Sequence, residues 1–209
     1  APKYRGSCPA AGSCAALCLN TAGNPAYLKG KLQRRRLRSD AFADHPAAFT
    51  RLLVMEICRF KSKLWEHQPV IGLRLNGTSD FLWERVPVEI CQGLEPLVTA
   101  IPNLRPYDYS KRTDRDWKAA ARLGYHLTLS HGSTSDTFNT AVSQGLNYAA
   151  AIDLPRNAPL PETIHINGER FATLDGDTTD WRPGDASGQT HIVLLRIKRT
   201  PGQTTEQRA

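Results

Sequence analysis

Short apolar segments alternate with helical segments through the middle of the chain, and this alternation restricts the fold more than any other feature. Apolar runs lie at 70–75, 104–109, 125–129 and 147–152. Helical patterns lie between them, at 88–100, 114–123 and 133–144, with short links. Strands that alternate with helices in this way form a parallel sheet with right-handed crossovers.

The number of these units indicates an α/β fold built as a partial open (β/α) barrel with parallel strands. About four strand–helix units are too few for a closed eight-stranded barrel of about 250 residues. Asn167-Gly168 predicts a C-terminal hairpin, and 191–198 predicts a last strand. We divide the chain into a Cys- and Arg-rich entry segment at 1–45, which we expect to be irregular, an α/β domain at 46–199 and a tail at 200–209.

The helix that opens the α/β domain begins near Pro46, which suits a first-turn position. Apolar residues at 49, 53, 57, 60 and 64 give it one apolar stripe toward a core. Cys58 and Cys91 fall within apolar helical patterns, and we expect both in the core.

Positive charge is concentrated in the first third of the chain. Residues 1–66 hold 12 basic and 4 acidic side chains, whereas 67–209 hold 15 basic and 16 acidic ones. Much of the excess is one run containing Arg34, Arg35, Arg36 and Arg38. Such a run attracts polyanions, so these four arginines are candidate nucleic-acid contacts. The alternative is a solvated face that keeps the protein soluble.

Three of the five cysteines, Cys8, Cys14 and Cys18, lie within eleven residues among small side chains. Three thiolates in such a loop can hold an iron–sulfur cluster, or supply three of four zinc ligands. The alternative is buried cysteines that pack a helical turn. There is no secretory leader, so we expect an intracellular protein without a disulfide framework. No apolar run approaches the roughly 20 residues that span a bilayer.

Polar residues follow the predicted strands, where parallel α/β proteins place their working groups. Lys111 and Tyr109 are the acid–base candidates, and Asp80 is the third catalytic candidate. The candidate substrate-binding residues are Asn76, Ser79, Ser130, Asp175, Asp177 and Arg182. Turn formation accounts for many of these residue types without any function, and we favour a tight turn for the acidic run at 175–180. The nucleotide-binding and hydrolase motifs GxxxxGK[ST], GxGxxG, HExxH and GxSxG are absent.

Six motifs in order carry a family resemblance that covers nearly the whole chain. They are Cys8-x5-Cys14-x3-Cys18, the Arg-rich run, RLNGTSD at 74–80 with Trp83-Glu84, YDYSK at 107–111, YHLTLS at 125–130 and DGDTTDWR at 175–182. Together they resemble the gene-product-eighty-eight-like group of bacteriophage and plasmid proteins, whose function is unknown. The resemblance implies the cytoplasm of a phage-infected or plasmid-bearing bacterium.

The group is distantly similar to radical-SAM barrels, in which a three-Cys loop precedes a barrel of strands and helices. The cysteine spacing here is x5/x3 instead of x3/x2, and no Gly-Gly-Glu strand is present. These departures argue against S-adenosylmethionine as a cofactor, whereas an iron–sulfur cluster or zinc stays open.

Three functions are consistent with the sequence. The first is an enzyme with a three-Cys metal or iron–sulfur site that acts on nucleic acid or a nucleotide. The second is a nucleic-acid-binding module with structural cysteines. The third is a structural or partner-binding phage protein. The first requires the basic run, the thiols and the strand ends to converge on one side of the molecule.

Overall fold

A seven-stranded sheet organises the protein. The computed structural model describes residues 8, 10, 25–64, 70–90, 93–131, 136–155, 157–186 and 188–197. The helices are α1 (Pro25–Asp44), α2 (Pro46–Leu64), α3 (Trp117–Arg122) and α4 (Asp136–Gln144). The strands are β1 (Ile71–Leu73), β2 (Pro87–Ile90), β3 (Gly93–Pro96), β4 (Leu104–Ser110), β5 (His126–Ser130), β6 (Tyr148–Ile152), β7 (Thr163–Ile166), β8 (Glu169–Asp175) and β9 (Ile192–Arg196).

The large sheet has the strand order β1–β4–β5–β6–β9–β8–β7, and β2 and β3 form a separate antiparallel pair. All neighbours in the large sheet are parallel except β7 and β8. The α/β class, the mostly parallel sheet and the late hairpin are therefore confirmed. Asn167 and Gly168 both have positive φ, 53° and 84°, as a tight hairpin turn requires.

One face of the sheet carries the main core. Leu127 and Leu129 of β5 are buried there, together with Ala120 of α3 and Ala141 of α4. Asp116 caps the N-terminus of α3, and its carboxylate accepts a hydrogen bond from the backbone N–H of Ala119 at 2.8 Å. These helices cover the sheet from this side, and the pleat of the strands places alternate residues on the opposite face.

We call that opposite face the covered face, because residues 176–186, the covering loop, pack across part of it. The register pairs Tyr107 with His126 and Tyr109 with Thr128, so all four side chains belong to this face. Trp181 of the covering loop packs edge-on against Tyr107, with ring centroids 5.8 Å apart. Gly72 makes room for it, since a Cβ there would lie 2.7 Å from the indole ring.

Helix α1 corrects the expectation of irregular structure at 1–45 for the residues it covers, Pro25–Asp44, whereas most of 1–24 lies outside the described residues. Polar side chains surround this helix, so it lacks the apolar stripe by which helices are recognised. Among the residues of this helix whose side chains are described, Phe42 in the last turns reaches the core and contacts Phe49, Phe81 and Trp83 with ring centroids 5.1 to 5.3 Å apart.

The hairpin of β2 and β3 replaces the helix expected at 88–100. Pro87 pairs with Pro96, and a proline at 96 is incompatible with a helix interior. Gly93 has a φ of 120°, which a helix also excludes. Val88 and Leu97 of this region are buried. The spacing of apolar residues that predicted a helix therefore arises because strand and turn residues pack against the core.

Helix α2 is present as expected, but two of its predicted core residues are exposed. Phe60 is 63% exposed and Cys58 is exposed. Phe49 and Leu53 pack on the main core, and Ile57 and Leu64 on a smaller cluster beneath β1. Cys91 lies outside the described residues. None of the helices that the structure describes is long and apolar enough to cross a membrane.

Candidate functional site

The loop after β1 is organised by Asn76, which is 3% exposed. Its side-chain amide donates to the carbonyl of Phe81 at 2.9 Å. Its carbonyl oxygen accepts from the Ser79 hydroxyl at 2.8 Å and from the Trp83 indole N–H at 2.9 Å. Asn76 and Ser79, expected to bind substrate, therefore hold this loop in shape.

Asp80 joins the same loop to the end of β4. Its Oδ1 accepts from the Ser110 hydroxyl at 2.7 Å, and its Oδ2 accepts from the backbone N–H of Lys111 at 2.8 Å. The carboxylate is 2% exposed. Both oxygens of this catalytic candidate are thus engaged in positioning two strand ends.

Arg115 completes this network with a fully buried guanidinium. Its Nε and Nη2 donate to the two oxygens of Glu84 at 2.9 and 2.6 Å. Its Nη1 lies 3.6 Å from Asp80 Oδ1, so one cation balances two buried carboxylates. No local sequence pattern indicates this role, because the partners lie about thirty residues apart.

Asp108 lies beneath the loop and is fully buried. It accepts hydrogen bonds from the backbone N–H of Asn76 at 2.8 Å and from the Tyr125 hydroxyl at 2.5 Å. Burial raises the pKa of Asp108 to about 7, although these donors and Arg74 act in the opposite direction. Asp108 was not among the predicted catalytic or binding residues, yet it titrates near neutral pH.

The two acid–base candidates occupy different environments. Tyr109 lies on the covered face beneath Arg74, whose guanidinium carbon is 4.9 Å from the ring centroid. Burial raises the pKa of Tyr109, and the charges of Arg182 and Arg74 partly offset that effect. Lys111 is half-buried just past the end of β4, where its backbone binds Asp80.

The acidic run after β8 forms the expected tight turn. Asp175 Oδ1 accepts from the backbone N–H groups of Asp177 and Thr178, at 2.8 and 3.2 Å. The carboxylates of Asp175 and Asp177 both lie within 3.5 Å of Arg196 Nη1. Their hydrogen bonds and ion pairs therefore serve the turn and the adjacent β9.

The predicted strand-end residues are spread across the strand order of the large sheet. Asn76 follows β1 at one edge, and Asp177 follows β8, five strand positions away, which is about 24 Å along a flat sheet. Ser130 ends β5 between them and is half-buried. Hydrogen bonds join the loop after β1 to the end of β4, and Asp180 of the covering loop after β8 reaches Arg74 at the end of β1.

Arg182 belongs instead to the covering loop, and it is 1% exposed. Its Nη1 donates to Asp185 at 3.1 Å, and its Nη2 donates to the Thr179 carbonyl. A second ion pair, Arg74 Nη1 to Asp180 at 2.8 Å, fastens the loop over the covered face. The loop thus places the Arg182 charge on the same face as Tyr109 and His126, where it affects the pKa of both.

The predicted nucleic-acid contacts all lie on α1. Arg34, Arg36 and Arg38 are exposed, and Arg35 is half-buried. A cleft of about 360 Å³ adjoins the end of this helix. Its lining consists of Phe42, Asp80, Phe81, Leu82, Arg85, Val86 and Arg112.

The predicted metal ligands lie mostly beyond the described structure. Cys8 is half-buried, whereas Cys14 and Cys18 lie outside the described residues. Among the described residues, no group of three His, Cys, Asp or Glu side chains can hold a metal ion. The three-Cys site therefore stays a prediction.

Comparison with known protein families gives a match over nearly the whole chain. The family model described as Gene product 88 matches residues 2–208. No curated protein and no solved structure matches the chain, so the distant resemblance to radical-SAM barrels has no support. Because the family match covers nearly the whole length, the chain belongs to the Gene product 88 family.

Proposed function

We propose that the protein binds single-stranded nucleic acid along α1 and in the adjoining cleft, in the cytoplasm of a bacterium that carries the phage or plasmid. The observation that carries this proposal is the exposed basic side of α1, which leads into a cleft lined by aromatic rings and arginines.

The spacing of the basic residues supports a continuous contact strip. Arg34, Arg38 and Phe42 are four residues apart in turn, so they lie along one side of the helix over about 12 Å. The helix holds six basic and two acidic side chains, and both acidic ones lie near its end. A phosphate backbone laid along this side meets guanidinium groups first and the cleft next.

The residues that line the cleft favour binding of a nucleic-acid base in addition to a phosphate. Phe42, Phe81 and Leu82 supply apolar and aromatic surface, and unpaired bases stack on such surfaces. Arg85 is exposed at the cleft, and Arg112 is held there by Asp114 at 2.6 Å. Paired bases in a duplex cannot enter, so the combination favours a single strand.

Fluorescence anisotropy with a labelled mixed-sequence 20-mer tests the proposal at several salt concentrations. Replacing Arg34 and Arg38 by Ala should weaken binding about tenfold and reduce the salt slope by about 1.4, since two phosphate contacts are lost. The matched control is Lys118→Ala with Arg122→Ala, two exposed basic residues four apart on α3.

Arg85→Ala tests the cleft separately. This substitution should weaken binding of the single strand. A duplex of equal length should bind weakly to the wild type, and its affinity should be the same for the variant. Absence of salt-dependent binding, or an equal loss in the α3 control, contradicts the proposal.

The three-Cys metal site is a separate proposal for Cys8, Cys14 and Cys18. Three clustered thiolates bind an iron–sulfur cluster or zinc, and visible absorbance after anaerobic purification distinguishes the two. Elemental analysis that finds less than one zinc or iron per chain, with Cys14→Ser as the control, excludes both.

We also propose that the sheet curves into the partial open barrel. Five residues from Asp175 to Asp180 span at most about 18 Å, yet Asp180 binds Arg74 directly after β1. In a flat sheet β1 and β8 would be about 24 Å apart, which is more than this segment spans. Curvature of the sheet would shorten that distance and bring Asp180 within reach of Arg74. Spin labels at Gly77 and Thr178 should give a distance well below the flat-sheet value.

A further inference from the structure

Among the residues that the structure describes, several buried side-chain polar atoms have no hydrogen-bond partner, and four of these atoms belong to residues of the covered face or of the loop above it. They are Tyr109 Oη, His126 Nε2, Thr128 Oγ1 and Arg182 Nε. Thr128 is 0% exposed and Arg182 is 1% exposed, so solvent at the surface does not satisfy them. Buried polar groups are nearly always paired, and several unpaired ones in one place indicate a missing partner.

The fold places these four residues in two layers, the sheet and the loop above it. Tyr109 and Thr128 are directly paired in the register of β4 and β5, and His126 lies two residues before Thr128 on the same face. Arg182 comes from the covering loop above, and its charge affects the pKa of both Tyr109 and His126. Donors therefore approach from the sheet below and from the loop above.

The chemistry of the four atoms defines the partner. Arg182 Nε can only donate, the two hydroxyls can donate, and the imidazole nitrogen donates in one tautomer. Asp185 and the Thr179 carbonyl engage the Nη atoms of Arg182 and leave its Nε available. A ligand that accepts several hydrogen bonds from directions out of one plane fits this set, and a tetrahedral oxyanion has that geometry.

We propose that this polar cluster, formed by Tyr109, His126, Thr128 and Arg182, is a binding site for a small tetrahedral oxyanion such as phosphate. The covering loop closes the site, and the exposed Arg74–Asp180 pair that fastens it is weak enough to open for entry. This site lies on the covered face and does not depend on nucleic-acid binding by α1.

Inorganic phosphate is the probe, with chloride at equal ionic strength as the reference. Thermal unfolding should show a saturable rise in Tm of the wild type with phosphate, because a ligand that binds only the folded state stabilises it. Thr128→Val removes the unpartnered hydroxyl and keeps the side-chain volume. It should leave the phosphate-free Tm unchanged or raised and weaken phosphate binding at least tenfold.

Two controls separate this result from other causes. Thr50→Val removes a buried hydroxyl that already bonds to the Pro46 and Ala47 carbonyls, so it should lower Tm without changing the phosphate response. The Arg34→Ala, Arg38→Ala variant should keep the full response, since its charges lie on α1.

Three results would overturn the proposal. They are no saturable phosphate response in the wild type, an undiminished response in Thr128→Val, and a phosphate-free Tm that falls in Thr128→Val as it does in Thr50→Val. The last result would show that the Thr128 hydroxyl already has a partner inside the protein.

Discussion

Replacing Asp108 by Asn should change how the stability of the protein depends on pH. Burial raises the pKa of this carboxyl from its ordinary 3.8 to about 7 in the folded protein. Between those two values the folded state holds a proton that the unfolded state releases, so stability falls as pH rises. Each pH unit in that interval is worth about 1.4 kcal/mol, so between pH 4.5 and pH 7 the wild type should lose about 3 kcal/mol relative to Asp108→Asn.

Urea unfolding followed by tryptophan fluorescence from pH 4.5 to pH 8 measures this difference. The other titrating groups are common to both proteins, so subtracting the two stability curves isolates Asp108. The matched control is Asp114→Asn, because Arg112 lowers the pKa of that exposed carboxyl and the stability difference should show no such fall. A difference that stays flat between pH 4.5 and pH 7, or that rises, refutes the reasoning from burial.

Two further substitutions test the packing around the site. Arg115→Met leaves Glu84 buried without its cation and should cost about 3–5 kcal/mol of unfolding free energy, whereas Arg112→Met, at a partly exposed pair, should cost less than about 1 kcal/mol. Gly72→Ala should cost about 1–3 kcal/mol by displacing the indole ring of the covering loop, whereas Gly77→Ala meets nothing within 4 Å and should have little effect. Denaturant midpoints measure both pairs.

The part of the fold that the sequence predicted is the part held by local periodicity. From β4 to β6, each strand and helix is short, and its apolar spacing matches the face that it buries. The hairpin turn at Asn167-Gly168 was equally predictable, since both positions need positive φ.

The features that the sequence did not predict depend on contacts between distant residues. The ion pair of Arg74 and Asp180 joins positions 106 residues apart, and Arg115 meets Glu84 across 31 residues. Neither pair follows from spacing along one element. Helix α1 was missed for a different reason, because helices are recognised by an apolar stripe and this one is polar nearly all round.

The hydrogen bonds also indicate where chemistry can occur if this chain catalyses a reaction. At the ends of β1 and β4, Asn76 and Asp80 use their side-chain oxygens to hold loops, which leaves little capacity for a substrate. On the covered face, Tyr109 and Arg182 retain buried polar atoms without partners. Pre-organised donors in a site shielded from water act more strongly than exposed ones. A reaction that needs a positioned proton or a stabilised anion therefore fits the covered face better than the strand ends, and Tyr109 is the one predicted acid–base residue that lies there.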